Sequence, residues 1–276
     1  NKPTAIVGAI ALVLVMVVGA GVSSFSKRIS ASNHDTQMDS NRRTAERLAR
    51  EFGAVLEPQW LKIRAIAQKP AVVAALTAPK LKRDKVAAVE QQSIPGAVLL
   101  RLLPPGDDYI DLNSKPPRTF ASSDMLHRAG ASEKPVDVEL HFSGTENEHL
   151  VMIQRVPLSG TIVGFLHLSL QSDIVRNALD GITLPAGHVE VRQPVPSGPP
   201  VIIAKRGEPT TSKMPSSIAG IGGTKWVVGY SSPASKGSSG VPFATILGTL
   251  AVLASLGAAI VALLRRRVDR SSIASE

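Results

Sequence analysis

The sequence predicts an α+β protein: a long helix followed by an antiparallel sheet, the whole flanked by two transmembrane helices. Three observations predict it. Two apolar runs without charged residues, 4–25 and 241–264, stand near the ends of the 276-residue chain. Apolar residues then recur near the helical period of about 3.6 from residue 36 onward. From residue 97, short β-rich runs alternate with turns rich in Pro and Gly.

The first run, TAIVGAIALVLVMVVGAGVSSF, has the length a helix needs to cross the hydrocarbon core, roughly 20 residues. A cleaved signal peptide is the alternative, but its apolar region is usually about 7–15 residues long. A retained helix is therefore expected. The second run, VPFATILGTLAVLASLGAAIVALL, is stopped at once by Arg265, Arg266, Arg267 and Arg270. Lys and Arg beside a helix end favour the cytoplasmic side, which places the 265–276 tail in the cytoplasm. Lys27, Arg28, Arg42 and Arg43 follow the first helix and by themselves argue for the opposite orientation. Long loops cross largely regardless of charge, and two spans return both ends to one side. The expectation is a two-pass protein of a bacterial inner membrane with both termini cytoplasmic and the central domain periplasmic. Small residues along the second helix, among them Ala251, Ser255 and Ala262, allow close helix contact and a homodimer.

Between the membrane segments, 26–95 reads as a helical stalk and connector and 96–231 as the sheet domain, with 232–240 a Ser/Gly linker. Leu48, Phe52, Val55 and Leu56 mark the first helix, which Pro58 kinks or divides. KPAVVAAL puts Pro70 at a helix start, and KLKRDKVAAVEQQ continues as a charged helical connector. AVLLRLL (97–103) is the first strand, and 105–118 reads as a loop. Strand signals follow at 136–142, 150–156 and 161–170, the last two joined as a hairpin through the turn Pro157-Leu158-Ser159-Gly160. DIVRNALD is a short helix capped by Ser172 or Asp173, and 188–193, 201–204 and 225–230 are further strands.

Composition excludes several classes. The chain has no cysteine, which removes thiol catalysis, Cys-ligated zinc and disulfides. The net charge of +9 lies largely on solvated faces and on the arginines after the second helix. With only 4% aromatic residues and no basic stretch interleaved with them, nucleic acid is not an expected partner; anionic lipid is. Among the six histidines, none has metal-ligand spacing. His141 and His149, with Glu139, Glu146 and Glu148, flank a turn; a polar loop is the expectation over a cation cradle. His167 is expected to be a satisfied structural histidine. Asp107, Asp108 and Asp111 lack the order of a calcium loop and read as a solvated acidic loop. GIGGT lacks the strand-before, helix-after setting of a phosphate loop. No catalytic residue, metal site or cofactor is expected. The candidate ligand-binding residues are Arg101, inside an apolar strand, and Arg155, at the end of another, because a guanidinium suits a ligand carboxylate. The alternative for both is the solvent face of a half-exposed sheet.

The order of elements resembles the PAS-like fold of extracytoplasmic Cache-type sensor domains, in which an arginine over the sheet often holds a carboxylate. A second resemblance rests on LLRLLPPGDDYIDLNSKPPRTFASSDMLHRA, QKPAVVAAL, VPLSGTIVGFLHLSL and GTKWVVGY. These runs resemble the membrane-anchored N-terminal extension of long-form bacterial phosphomannomutase/phosphoglucomutase enzymes. The Thr-Ala-Ser-His-Asn-Pro and Asp-x-Asp-x-Asp motifs of the mutase are missing, so no catalytic residue carries over. The resemblance implies either the extension of a larger enzyme, cut before its mutase domain, or a stand-alone relative. The function expected on this basis is a non-catalytic anchor and periplasmic sensor that tethers or regulates a cytoplasmic mutase. The alternatives are the sensory input of a signal-transduction receptor, acting on a signalling partner, or a structural scaffold of the cell envelope.

Overall fold

The structure, a computed structural model, describes residues 35–208 and 217–233. The expected membrane runs 4–25 and 241–264, and the arginines of the 265–276 tail, lie outside the described residues. Among those described, no helix is long and apolar enough to cross a membrane.

Helix α1 (35–55) buries Asn41, Ala45, Leu48, Ala49 and Phe52, a stripe at helical spacing. It ends at Leu56, and α2 (Glu57–Ala67) starts with Pro58 in its first turn, where the missing N–H has no helical partner to lose. The Trp60 N–H still reaches the Leu56 carbonyl at 3.0 Å, so the chain bends without losing continuity. Pro70 opens α3 (Pro70–Leu76) in the same way. Helix α4 (Lys80–Gln91) is charged, but its Glu90 is buried and meets Lys69 Nζ at 2.6 Å.

The strands form two antiparallel sheets where the sequence had pointed to one. The first has the order β1-β4-β3-β2, from β1 (Ala97–Leu103), β2 (Glu139–His141), β3 (His149–Leu158) and β4 (Thr161–Gln171). The second has the order β6-β5-β8-β7, from β5 (His188–Gln193), β6 (Val201–Arg206), β7 (Ser217–Gly220) and β8 (Val227–Ser231). Helix α6 (Asp173–Gly181) separates them in the chain. A single meander is excluded because β1 pairs with β4 rather than with its sequence neighbour. The β3–β4 turn has positive φ at Ser159 (50°) and Gly160 (81°), as a two-residue type I′ hairpin requires.

One face of the first sheet carries Leu100, Leu102, Leu150, Met152, Leu166, Leu168 and Leu170, all buried in the core shared with α1–α3. Gly164 lets α3 approach that face. A Cβ there would meet Leu76 Cδ2 at 2.6 Å and the Leu103 carbonyl oxygen at 2.7 Å. The other face is covered by α5 (Phe120–Ala131), a helix the sequence reading missed. Its Met125, Leu126 and Ala129 pack on Leu103, Val151 and Ile153 in a smaller apolar cluster. The two sheets meet at β2. The Gln193 side chain accepts from the Leu140 N–H at 2.7 Å and donates to the Leu140 carbonyl at 3.1 Å. Val138 and Lys225 add further backbone bonds of 3.0 Å.

Candidate functional site

The register fixes which side chains share the α5-covered face. Arg101 on β1 lies opposite His167 on β4, which lies opposite Ile153 on β3. Stepping by two along β3 reaches His149, which faces His141 on β2. The same parity puts Ser169 on this face. Alternation therefore gathers one arginine, three histidines and a serine beside the apolar patch under α5. They come from β1, β2, β3 and β4, and only His167 and Ser169 share a strand.

The loop from β1 to α5 closes one end of this face. Asp111 and Arg118 exchange backbone hydrogen bonds of 2.8 Å, which folds 111–118 back on itself. Asp111 Oδ1 accepts from the backbone N–H groups of Asn113 and Ser114, each at 3.2 Å. The Arg118 side chain, 2% exposed, turns inward to Asp107, at 3.3 Å from its carboxylate and 3.1 Å from its carbonyl. Its guanidinium also lies 4.2 Å from the centre of the Tyr109 ring. Asp107 takes a second cation, Arg83 of α4, at 3.5 Å. The loop expected to be a solvated acidic stretch is thus held by partly buried ion pairs. Between α4, β1 and this loop lies a cavity of about 260 Å³, with Arg83, Arg101, Asp107, Tyr109 and Arg118 in its wall. That is slightly below the usual range of ligand pockets, which starts at roughly 300 Å³.

Arg101 donates through Nη2 to Ser114 Oγ at 2.9 Å and to the Pro116 carbonyl at 2.8 Å. Its Nη1 has no protein partner, and neither do Arg83 Nε or Arg118 Nε. The same holds for His141 Nε2, His149 Nε2, both ring nitrogens of His167 and Ser169 Oγ. Of ten buried side-chain polar atoms without a hydrogen bond among the described residues, eight belong to this one region. A buried polar group without a partner costs about 1–3 kcal/mol, so such a concentration marks a place built to be completed by something else. His167, expected to be satisfied, is fully buried and makes no hydrogen bond.

Burial decides the protonation of these rings. It holds His141 at about 4, with the facing His149 ring adding to the shift. His149 is also lowered, by burial, against the opposing bond to the Asn147 carbonyl. His167 lies well below the usual histidine range, through burial and then the Arg101 charge. Burial and the charge of Arg118 lower Arg101 from its very high normal value. At neutral pH the site therefore presents neutral imidazoles beside cationic guanidiniums. Among the described residues, no group of three His, Asp or Glu side chains is arranged to hold a metal ion.

Of the two arginines singled out in sequence, Arg101 enters the cavity wall and Arg155 does not. Arg155 shares the face but sits near its far end, where it donates to the Glu133 carbonyl. Sequence reasoning missed Arg83 and Arg118. The one signal for Arg118 was an arginine among Pro and Asp residues just before a helix.

The comparisons with known proteins add a fold. No family model and no curated protein matches the chain. Among solved structures, the ligand-binding domain of the Pseudomonas fluorescens chemoreceptor CtaA, in complex with L-isoleucine, aligns with a TM-score of 0.50 at 13% identity. The alignment covers 74% of this chain and 95% of that one. The two domains share a fold. The ligand-binding domain of the Pseudomonas aeruginosa PAO1 chemoreceptor PctB, in complex with L-Arg, aligns with a TM-score of 0.49 at 14% identity over 75% of this chain and 99% of that one. The extracellular domain of the putative histidine kinase mmHK1S-Z3 aligns at 0.47 and 13% identity over 71% and 94%. At these identities the likeness is one of fold. No comparison links the chain to a phosphohexomutase.

Proposed function

We propose that the chain is the sensory input of a membrane receptor, and that its described domain binds a small polar molecule on the α5-covered face of the first sheet. The observation that carries this is the concentration of eight unpartnered buried polar atoms beside a cavity walled by three arginines. A fold shared with a chemoreceptor ligand-binding domain supports it. In this reading Arg101 and Arg118 hold the ligand and the domain is periplasmic. The two apolar runs span the inner membrane, and both termini are cytoplasmic. Anionic lipid neutralises Arg265–Arg267 and Arg270, and the output belongs to a cytoplasmic signalling partner. The tether to a phosphomannomutase or phosphoglucomutase, expected from sequence resemblance, gains no support from any comparison, and the sensory alternative replaces it. Arg155 has no place in the binding step.

Binding to the folded state alone raises the unfolding temperature by mass action. The test is a thermal-shift screen of the full chain in detergent against a broad library of small metabolites. The expected result is a compound that raises Tm by several degrees in wild type and has no effect on the Arg101→Gln variant. A library without such a compound, or a hit indifferent to both Arg101→Gln and Arg118→Gln, refutes the reading.

A further inference from the structure

We propose that the strap 111–118 is a lid over this face of the sheet, latched in the structure by Arg101, and that the buried groups beneath it are reached when the latch lets go. The inference rests on the sensory reading for what the lid admits and concerns how the site opens. It follows from two openings on the same sheet face and from what holds the segment that separates them.

The first opening is the cavity of about 260 Å³, where Leu99 and Arg101 of β1 meet Asp111, Ser114 and Arg118 of the strap. The second is a groove of about 450 Å³, where His149 and Gln171 meet Lys115 and Pro116 of the strap. The strap thus supplies a wall to each. The register puts Ser169 opposite Leu99, one row from the Arg101–His167 pair and one row from the Gln171–His149 pair. Ser169 therefore lies between the two openings, yet neither it nor His167 lines either one. Both are fully buried, and the Ser169 hydroxyl and the two His167 nitrogens have no partner.

Little fastens the strap to the domain. No residue of 104–119 belongs to either apolar cluster, and Tyr109 and Leu112 are 54% and 67% exposed. The Asp111–Arg118 backbone pair and the bonds from the Asn113 and Ser114 N–H groups to Asp111 lie within the strap and move with it. The Arg118–Asp107–Arg83 ion pairs anchor its foot to α4. Among the described residues, the hydrogen bonds that tie 112–117 to the rest of the domain come from Arg101 Nη2, to Ser114 Oγ and to the Pro116 carbonyl. A segment with few buried apolar contacts and so few bonds opens at a fraction of the cost of global unfolding. The latch is also part of the site. Arg101 Nη1 is unpartnered, so a ligand oxygen that draws the guanidinium away from Ser114 and Pro116 releases the strap as it binds.

The chain has no cysteine, so a single introduced thiol reports opening without interference. Ser169→Cys places it beneath the strap, and Val228→Cys places one in the core of the second sheet, at a residue that is 0% exposed. Maleimide labelling of the full chain in detergent, without ligand, is measured for each thiol with Ser114 intact and with Ser114→Ala. The thiol of Ser169→Cys is expected to react at least tenfold faster than that of Val228→Cys, and Ser114→Ala to speed the first at least fivefold while leaving the second unchanged. Equal rates at the two thiols overturn the lid, because the face then opens only with the whole domain. So does a Ser169→Cys rate that Ser114→Ala leaves unchanged, or one that rises in step with the Val228→Cys rate. Each of these results leaves the sensory reading to the metabolite screen, which does not depend on the strap.

Discussion

Acidification should destabilise this domain well above the pH at which its carboxylates titrate, and the buried histidines set how much. His141 is 6% exposed, faces His149 across the β2–β3 pair with ring centres 5.7 Å apart, and titrates at about 4 in the folded state. In the unfolded chain the same ring titrates near 6.5. The folded value is the lower one, so the unfolded state binds more protons between the two. Stability is therefore full above about pH 6.5 and is lost as pH falls towards 4. At pH 5 the loss from His141 alone is about 2 kcal/mol, and below pH 4 it approaches about 3 kcal/mol. Carboxylates contribute only a few tenths of a kcal/mol at pH 5, because both states remain mostly ionised. His149 and His167 are shifted in the same direction and add to the effect. Two kcal/mol corresponds to roughly 4–8 °C in Tm for a domain of this size. The assay is thermal unfolding of the full chain at pH 7.5 and pH 5, followed by fluorescence of Trp60 and Trp226, both buried. His141→Asn keeps a small polar group and removes the titration, so its Tm should fall by about 4 °C less than wild type over this interval. A wild-type Tm that is flat from pH 7.5 to 5, or an equal fall in the variant, would refute the reasoning.

Three substitutions test the framework around the site. Gln193→Ala strands both backbone groups of Leu140 and the Trp226 indole N–H, which Gln193 holds at 2.9 Å, and should cost about 3 kcal/mol in denaturant unfolding. A loss under about 1 kcal/mol would mean that β2 finds other partners. Gly164→Ala drives a methyl group into Leu76 and the Leu103 carbonyl, and should lower stability by about 1–3 kcal/mol while leaving the circular dichroism spectrum unchanged. Glu139→Gln leaves Arg128 and Lys225 without their buried counter-charge and should cost about 2 kcal/mol; an unchanged Tm would show the pair to be dispensable.

Local signals in the chain were read correctly where they act locally. Pro58 and Pro70 announce helix starts because their missing N–H is harmless only in a first turn. Ser159–Gly160 announces its hairpin because only such residues accept positive φ at both turn positions. Helix α5 gave no such signal. Its sequence FASSDMLHRAGA is rich in small residues, and only Met125, Leu126 and Ala129 form an apolar face, too few to define a period. The pairing of β1 with β4 spans a helix, a strand and a hairpin, and nothing in either strand names its partner. The site suffered from the same cause. Arg101 could be noticed as a charge inside an apolar strand, but its partners His167 and His149 come from strands whose register is set by tertiary packing. Arg118 was hidden further, since its burial depends on Asp107 folding back across the loop and on Arg83 arriving from α4.

The two sheets behave as one body for a reason that also bears on the site. Strand β2 has only three residues and pairs on one side with β3. Its other edge would be an open row of backbone donors and acceptors, which natural sheets cover or shorten. Here the cover comes from the second sheet. Val138 bonds to Gly223 and Lys225, and Leu140 bonds at both its N–H and its carbonyl to the amide of Gln193. Alternation then sends Glu139 and His141 to the α5-covered face while Leu140 enters the main core. The strand that carries His141 is consequently held from outside by β5 and by the loop before β8. A chain ending before His188 would have no Gln193 amide and no 223–225 segment to close this edge. It should lose the His141–His149 pairing along with the second sheet, and the unfolding of the intact domain should be a single transition. Two separated transitions, one for each sheet, would show that the hydrogen bonds at Val138 and Leu140 do not couple them.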